Sequence, residues 1–319
     1  MNQMMKRALL IGIDKYPDSP LRGCENDAKK IGEILSRNED GSPNFDCRYL
    51  LSSKVDTGLT SITQAVERLF STEADVAVLY YSGHGAISEN GGVLIPSDFK
   101  SPSEGYPMHD ILELIYKSPV REAVVIFDCC YSGDFGNLPT KGKEVALLRE
   151  GMSVLAASGS SESAIEINGG GVFTSLVYDA LNGGAADILG RVTVGSVYTY
   201  VDMALSAWDQ RPMFKAHLSK FAPLRSCTPH VDAAIIRLLP TYFKTPDTKL
   251  QLDPSYEPTT LPGDEINERT FLHLQKLRDA RLLIPIDEEH LYFAAINSKS
   301  CRLTSLGKFY WNLAEQGRV

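Results

Sequence analysis

The sequence predicts an α/β fold: a predominantly parallel sheet with helices on both faces, followed by a small α+β domain. Three observations carry that reading. Residues 123–127 (AVVIF) and 76–81 (VAVLYY) are unbroken apolar runs of β-branched and aromatic side chains, as expected of strands buried on both faces. Segments of helical period alternate with such runs, which is the order of a parallel sheet with crossover helices. Both runs stop abruptly on polar residues, Asp128-Cys129-Cys130-Tyr131-Ser132-Gly133 after one and Ser82-Gly83-His84-Gly85 after the other. In open α/β sheets, ligands bind outside the carboxyl ends of the strands. If these two strands lie close in one sheet, a thiol and an imidazole meet at the same edge.

The elements follow in order. Residues 8–13 read as the first buried strand. The apolar run there ends after six residues at Asp14, so the opening MNQMMKRALLIGIDKYP is a strand and not a secretory leader. Residues 16–24 form a loop, and residues 25–35 place Ala28, Ile31, Ile34 and Leu35 on one side of a helix capped by Glu25 or Asn26. Residues 45–51 are a second strand, and 59–70 an amphipathic helix leading into the histidine strand. Residues 91–98 begin as an extended hairpin element, and 108–117 form a helix entering the cysteine strand. Residues 134–152 are a polar, glycine-containing loop, after which 153–158 restore a strand. A Ser/Gly-rich loop at 160–171 precedes helices at 172–181 and 194–207.

From about Thr228 the character changes. A helical stretch at 231–239 precedes a proline-spotted linker at 240–262 and a strong helix at 265–280. Residues 282–286 and 291–295 read as a short hairpin, and 304–315 as a closing helix. Helices followed by a hairpin suggest a winged-helix-like module. The expected boundaries are therefore 1–227 for the first domain and 228–319 for a regulatory or interaction domain.

Composition narrows the classes. The 319 residues carry a net charge of −8, with 43% hydrophobic and 23% charged residues, an ordinary globular balance. Residues 229–319 hold 11 Lys/Arg against 12 Asp/Glu, so the second domain lacks the basic face that DNA binding requires. A protein partner suits that domain better than nucleic acid. No apolar stretch approaches a membrane span. The six cysteines show neither a disulfide-framework spacing nor a CxxC metal pair, which fits a reducing cytoplasm.

The thiol and the imidazole carry the chemistry. The thiolate is the nucleophile, and a neighbouring histidine raises the thiolate fraction and later protonates the leaving group. Side chains alternate along a strand, so Phe127 and Cys129 share one face, Asp128 and Cys130 the other. Phe127 belongs in the core; Cys129 then packs inward and Cys130 stands with the carboxylate. Ser82 relates to His84 as Asp128 does to Cys130. A carboxylate beside a thiolate raises the thiol pKa, so Asp128 makes more sense facing a cationic substrate side chain, Arg or Lys. The plainer alternative is that Asp128 accepts hydrogen bonds from neighbouring loop N–H groups.

Tyr80-Tyr81-Ser82-Gly83-His84-Gly85 and Asp128-Cys129-Cys130-Tyr131-Ser132-Gly133 resemble the histidine and cysteine motifs of metacaspases and prokaryotic caspase homologues. His84 and Cys130 are 46 residues apart, near the roughly 50 typical of caspases. The resemblance spans residues 6–224 and implies a caspase-like fold and a cysteine endopeptidase using His84 and Cys130. It places the nucleophile on the cysteine two residues after the aspartate, Cys130, and implies an oxyanion site at the Gly85 and Cys130 N–H groups. It also makes Asp27 a wall of the specificity pocket, with Asp128 and Ser82; without it, Asp27 is an acidic residue favourable to a helix start. Lys141, Lys143 and Arg149, in the loop after the nucleophile, are candidates for self-processing of a zymogen. Some metacaspases need calcium. Asp98 and Asp110 match two positions of that pattern, but His109 replaces a second aspartate, so no metal or other cofactor is assigned. The expected partners are a protein or peptide substrate and a regulatory protein on the second domain. Family context suggests bacterial cell death or defence. Two rivals stand beside this reading: a catalytically silent adaptor on the same fold, and a winged-helix transcriptional regulator.

Overall fold

Apolar runs and helical periods sort the first part of the chain into strands β1 (Lys6–Gly12), β2 (Asp46–Leu51), β3 (Val76–Ser82), β4 (Gly85–Ser88), β5 (Gly91–Leu94), β6 (Tyr106–Pro107), β7 (Glu122–Asp128) and β8 (Met152–Ala156). Short pieces β9 (Glu166–Ile167), β10 (Gly170–Gly171) and β11 (Arg191–Thr193) precede β12 (Met213–His217) and β13 (Pro223–Ser226). The computed structural model describes residues 4–89, 91–101, 104–130, 132, 135, 148–157, 166–167, 170–205, 212–259 and 264–319. By contacts the chain divides into two units, residues 1–186 with 191–227, and residues 187–190 with 228–319.

In the first unit the main sheet has six strands in the order β12-β8-β7-β3-β1-β2. Its neighbours are parallel except β12, which runs antiparallel to β8. β3 and β7 lie side by side at the centre and are buried along their whole length. Helices α1 (Cys24–Ser36), α2 (Leu59–Phe70), α3 (Met108–Lys117), α4 (Val172–Asp179) and α5 (Val194–Leu205) cover the two faces. Alternation decides which side chain meets which helix. Leu79, Tyr81, Val125 and Phe127 pack with Ile62, Val66 and Ile111 of α2 and α3. Val78, Tyr80, Val124 and Ile126 pack with Ile31, Phe173 and Val197 of α1, α4 and α5.

The second unit holds α6 (Ala233–Ile236), α7 (Leu239–Tyr242), β14 (Lys249–Gln251), α8 (Glu265–Asp279), β15 (Leu283–Pro285), α9 (Leu291–Ile296), β16 (Ser300–Leu303) and α10 (Ser305–Glu315). Its three strands are antiparallel in the order β14-β16-β15. Two expectations are corrected here. The hairpin at 282–286 and 291–295 does not form, because Leu291, Ala294 and Ala295 are buried at helical spacing and make α9; the partner of β15 is β16. The segment expected as a linker at 240–262 contains β14 and supplies Phe243 and Leu252 to the core, both fully buried.

Candidate active site

The register of β3 against β7 builds the site. Ser82 lies opposite Asp128 where both strands end, so His84 and Cys130 each follow two residues beyond one register pair. The Gly83 N–H reaches the Asp128 carbonyl at 3.5 Å, carrying the pairing a step past the strands. A Cβ on Gly85 would lie 2.2 Å from the Cys130 carbonyl oxygen and 3.1 Å from Cys129 Sγ. Only glycine lets the chain after His84 approach the chain after Asp128 so closely.

The adjacent cysteines differ in surroundings. Cys129 is 1% exposed and packs in the core that holds Phe127 and Phe135. Burial pushes its thiol well above the ordinary range, and the neighbouring Asp128 and Cys130 add to the shift. Cys130 is partly exposed. Reactive cysteines are accessible and buried ones are inert, so Cys130 is the candidate nucleophile.

His84 is held on both its ring and its backbone. Its Nε2 lies 2.8 Å from the Ser19 carbonyl oxygen. A carbonyl only accepts, so this contact assigns the proton to Nε2 and leaves Nδ1 as the basic nitrogen. The Tyr16 ring packs on the imidazole with centroids 4.5 Å apart, and Tyr16 Oη accepts the His84 N–H at 3.0 Å. Tyr81 Oη donates to the His84 carbonyl at 2.8 Å. Burial raises both phenols, which keeps them neutral donors. Among the described residues no hydrogen bond joins Cys130 Sγ to His84; such contacts tighten when the substrate is in place.

Behind the nucleophile, three buried residues expected to line a pocket come together: Asp27, Ser82 and Asp128. Asp27 Oδ2 accepts the Gly171 N–H at 2.9 Å, and a Cβ on Gly171 would lie 2.2 Å from Asp128 Oδ2. One glycine at the start of α4 thus lies against both carboxylates. Asp128 Oδ2 accepts from Thr174 Oγ1 at 2.6 Å. Thr174 Oγ1 spends its hydrogen there, so Tyr80 Oη, 2.6 Å away, donates to it. The two carboxylates also stand at the positive end of α4. Tyr16, Ser19, Gly171 and Thr174 were not legible as site residues, since none falls in a motif and two act through backbone atoms.

Other expected residues lie apart. Lys141 and Lys143 fall outside the described residues. Arg149 donates to the carbonyls of Ile115, Val120 and Glu150. Asp98 Oδ1 accepts the Leu59 N–H at the start of α2, and His109 leans on Glu113 at 3.3 Å. No group of three or more metal-type side chains gathers among the described residues. No helix among them is long and apolar enough to cross a membrane.

The caspase domain model matches residues 5–223. Metacaspase-1 of Meyerozyma guilliermondii is 32% identical over 162 residues, covering 43% of this chain and 38% of that protein. Metacaspase-3 of Trypanosoma cruzi is 32% identical over 153 residues, covering 42% of each. The chain thus spans about two fifths of the length of these relatives. A crystal structure from Geobacter sulfurreducens shares the fold at TM-score 0.51 and 14% identity, over 70% of this chain and 100% of that one. The matched span includes both central strands, His84 and Cys130, and on that ground the chain belongs to the caspase-domain family of cysteine peptidases, with metacaspases among its relatives.

Proposed function

We propose that this protein is a cysteine endopeptidase that cleaves after Arg or Lys through a Cys130–His84 dyad. The observation that carries the reading is the shared register of β3 and β7, which delivers imidazole and thiol to one edge with Nδ1 left basic. Cys130 gives its proton to His84 Nδ1 and its sulfur attacks the peptide carbonyl. The oxyanion is held by the N–H groups of Gly85 and Cys130, each worth roughly 10²–10³ in rate. The imidazolium protonates the departing amine, and water then hydrolyses the thioester with His84 as base. Asp27 and Asp128, both buried and both against Gly171, support an acidic specificity pocket for a cationic side chain. Arg is favoured over Lys for its bidentate geometry.

The test of specificity is a matched peptide series ending in Arg, Lys, Asp or Leu before the scissile bond. Asp128→Asn keeps an acceptor for Thr174 and removes the charge. It is expected to lose on the order of 10²–10³ in kcat/KM on Arg peptides. Preference for Asp, or an Asp128→Asn enzyme as active as wild type on Arg, would overturn the pocket. Self-processing, if it occurs in the loop after the nucleophile, falls at Lys141 or Lys143, because the Arg149 guanidinium is committed to three carbonyls. Intact-mass comparison of wild type with Cys130→Ala decides this, and an active enzyme that stays uncut would remove it. The family resemblance suggests a regulated effector of bacterial cell death or defence. The second unit is read as its regulatory or partner-binding part. Deleting residues 228–319 should leave peptide cleavage intact, and loss of cleavage in a folded remainder would count against that role.

A further inference from the structure

A second polar site lies at the amino ends of the strands, away from His84 and Cys130. A cavity of about 390 Å³ opens between the edge strand β2 and α2, and its walls carry three guanidinium groups. Arg7 comes from β1, Arg48 from β2 and Arg68 from the last turn of α2. Arg7 and Leu9 share a face, and Arg48 lies beside Leu9 in the parallel register. Arg7 and Arg48 therefore project together toward α2. Asp46 is the one carboxylate on the walls, which leaves a local charge of +2 in a chain of net −8.

The cluster is unfavourable by itself. The Arg7 guanidinium is pulled below its ordinary value, first by burial and next by the Arg48 charge. It donates to the Thr72 hydroxyl and carbonyl just after α2, yet its Nε–H is buried with no partner. The Arg48 and Arg68 guanidinium groups make no hydrogen bond or ion pair among the described residues. A plain surface reading accounts for two of the three: charge on an edge strand blocks sheet-to-sheet pairing, and a cation suits a helix C-terminus. It does not account for a third guanidinium on the interior strand β1, facing the same cavity with an N–H unsatisfied.

We propose that this cavity binds a small organic phosphate, with Arg7, Arg48 and Arg68 on the phosphoryl oxygens and Leu9, Leu50, Ala65 and Leu69 against the organic body. Guanidinium forks match phosphoryl oxygens better than other cations do, and the Thr72 hydroxyl, which accepts from Arg7, keeps its hydrogen to donate at the rim. A phosphomonoester carries about −1.5 to −2 charges, which neutralises the local +2 as a single carboxylate does not. The site is independent of the peptide chemistry at the other end of the strands.

Calorimetry on the full chain, near physiological salt, tests it with phenyl phosphate, inorganic phosphate and benzoate. Phenyl phosphate should bind saturably at one site and raise the Tm, as any ligand of the native state does. Benzoate should bind at least roughly tenfold more weakly. The exposed pair Arg48→Gln/Arg68→Gln, whose own Tm and circular dichroism report that it still folds, should weaken phenyl phosphate by roughly tenfold or more. No saturation by about 5 mM phenyl phosphate would overturn the proposal. So would unchanged affinity in the double variant, or equal binding of phosphate and benzoate. Inorganic phosphate binding as tightly as phenyl phosphate would overturn the organic body.

Discussion

Strand β7 carries a buried carboxylate at each end, Glu122 where it enters the sheet and Asp128 where it leaves. Each accepts a hydrogen bond, Glu122 Oε2 from the Ala222 N–H at 2.8 Å and Asp128 Oδ2 from Thr174 at 2.6 Å. The entry end opens on a cavity of about 510 Å³. Burial and a hydrogen bond to one carboxylate oxygen therefore do not tell the two apart. The difference lies in what arrives from elsewhere. At the exit end β3 brings His84, α1 brings Asp27, the loop after β1 brings Tyr16 and Ser19, and α4 brings Gly171 and Thr174. The entry cavity is lined by neither cysteine nor histidine. A reactive site on a parallel sheet is recognised by convergence of several elements on the carboxyl edge, not by any one unusual group.

The largest expected effect breaks the comparison within the exit end itself. Cys130→Ala and His84→Ala should each lower turnover of an Arg peptide by roughly 10⁴ or more. Cys129→Ala, one residue away but in the core, should retain most activity and lose only modest stability. Steady-state hydrolysis by the three variants checks this, and an inactive Cys129→Ala beside an active Cys130→Ala would reverse the assignment.

Tyr16→Phe is a finer cut. It keeps the ring against His84 and removes the hydroxyl that accepts the His84 N–H. One hydrogen bond of this kind is worth about 1 kcal/mol, so kcat should fall about five- to tenfold with KM little changed. A larger change in KM than in kcat would mean that Tyr16 binds substrate instead of positioning the imidazole.

Glu122→Gln should do the least to activity and the most to pH dependence. Desolvation raises the Glu122 carboxyl, partly offset by the Ala222 N–H and by Lys6. A carboxyl raised in the folded state favours folding while protonated. That contribution is present below its unfolded value and is lost as pH rises through the folded one. Glu122→Gln should therefore flatten the decline in stability above the ordinary carboxyl value of 4.5. Urea midpoints between about pH 4 and about pH 7 measure it. An unchanged profile would show that Glu122 does not titrate there, and a large loss of peptide hydrolysis would erase the contrast with Asp128.

What the sequence made legible follows the same division. Residues 59–70 and 108–117 are helices because their apolar residues repeat at helical spacing, and the structure has them with those bounds. The central strands were readable from their unbroken apolar runs, and the polar stops after them pointed to His84 and Cys130. The supports of the site were not readable. Ser19 acts through its carbonyl and Gly171 through its N–H and its missing Cβ, and backbone groups leave no trace in residue type. In the second unit, Leu291-Tyr292-Phe293 looks like a strand by propensity, but burial of Leu291, Ala294 and Ala295 makes it helical. The strand that pairs with β15, Ser300–Leu303, is only four residues long and alternates polar Ser300 and Arg302 with buried Cys301 and Leu303, so its sequence signal is weak.

Cys130, and not its neighbour, is the thiol proposed to meet a cationic substrate at the carboxyl edge. An arginyl peptide bearing a thiol-reactive group, followed by peptide mass mapping, tests it most directly. The expected result is stoichiometric modification of Cys130, none at Cys129, slower labelling by the matching aspartyl reagent, and loss of labelling in His84→Ala. Modification at Cys129, or faster labelling by the aspartyl reagent, would contradict it.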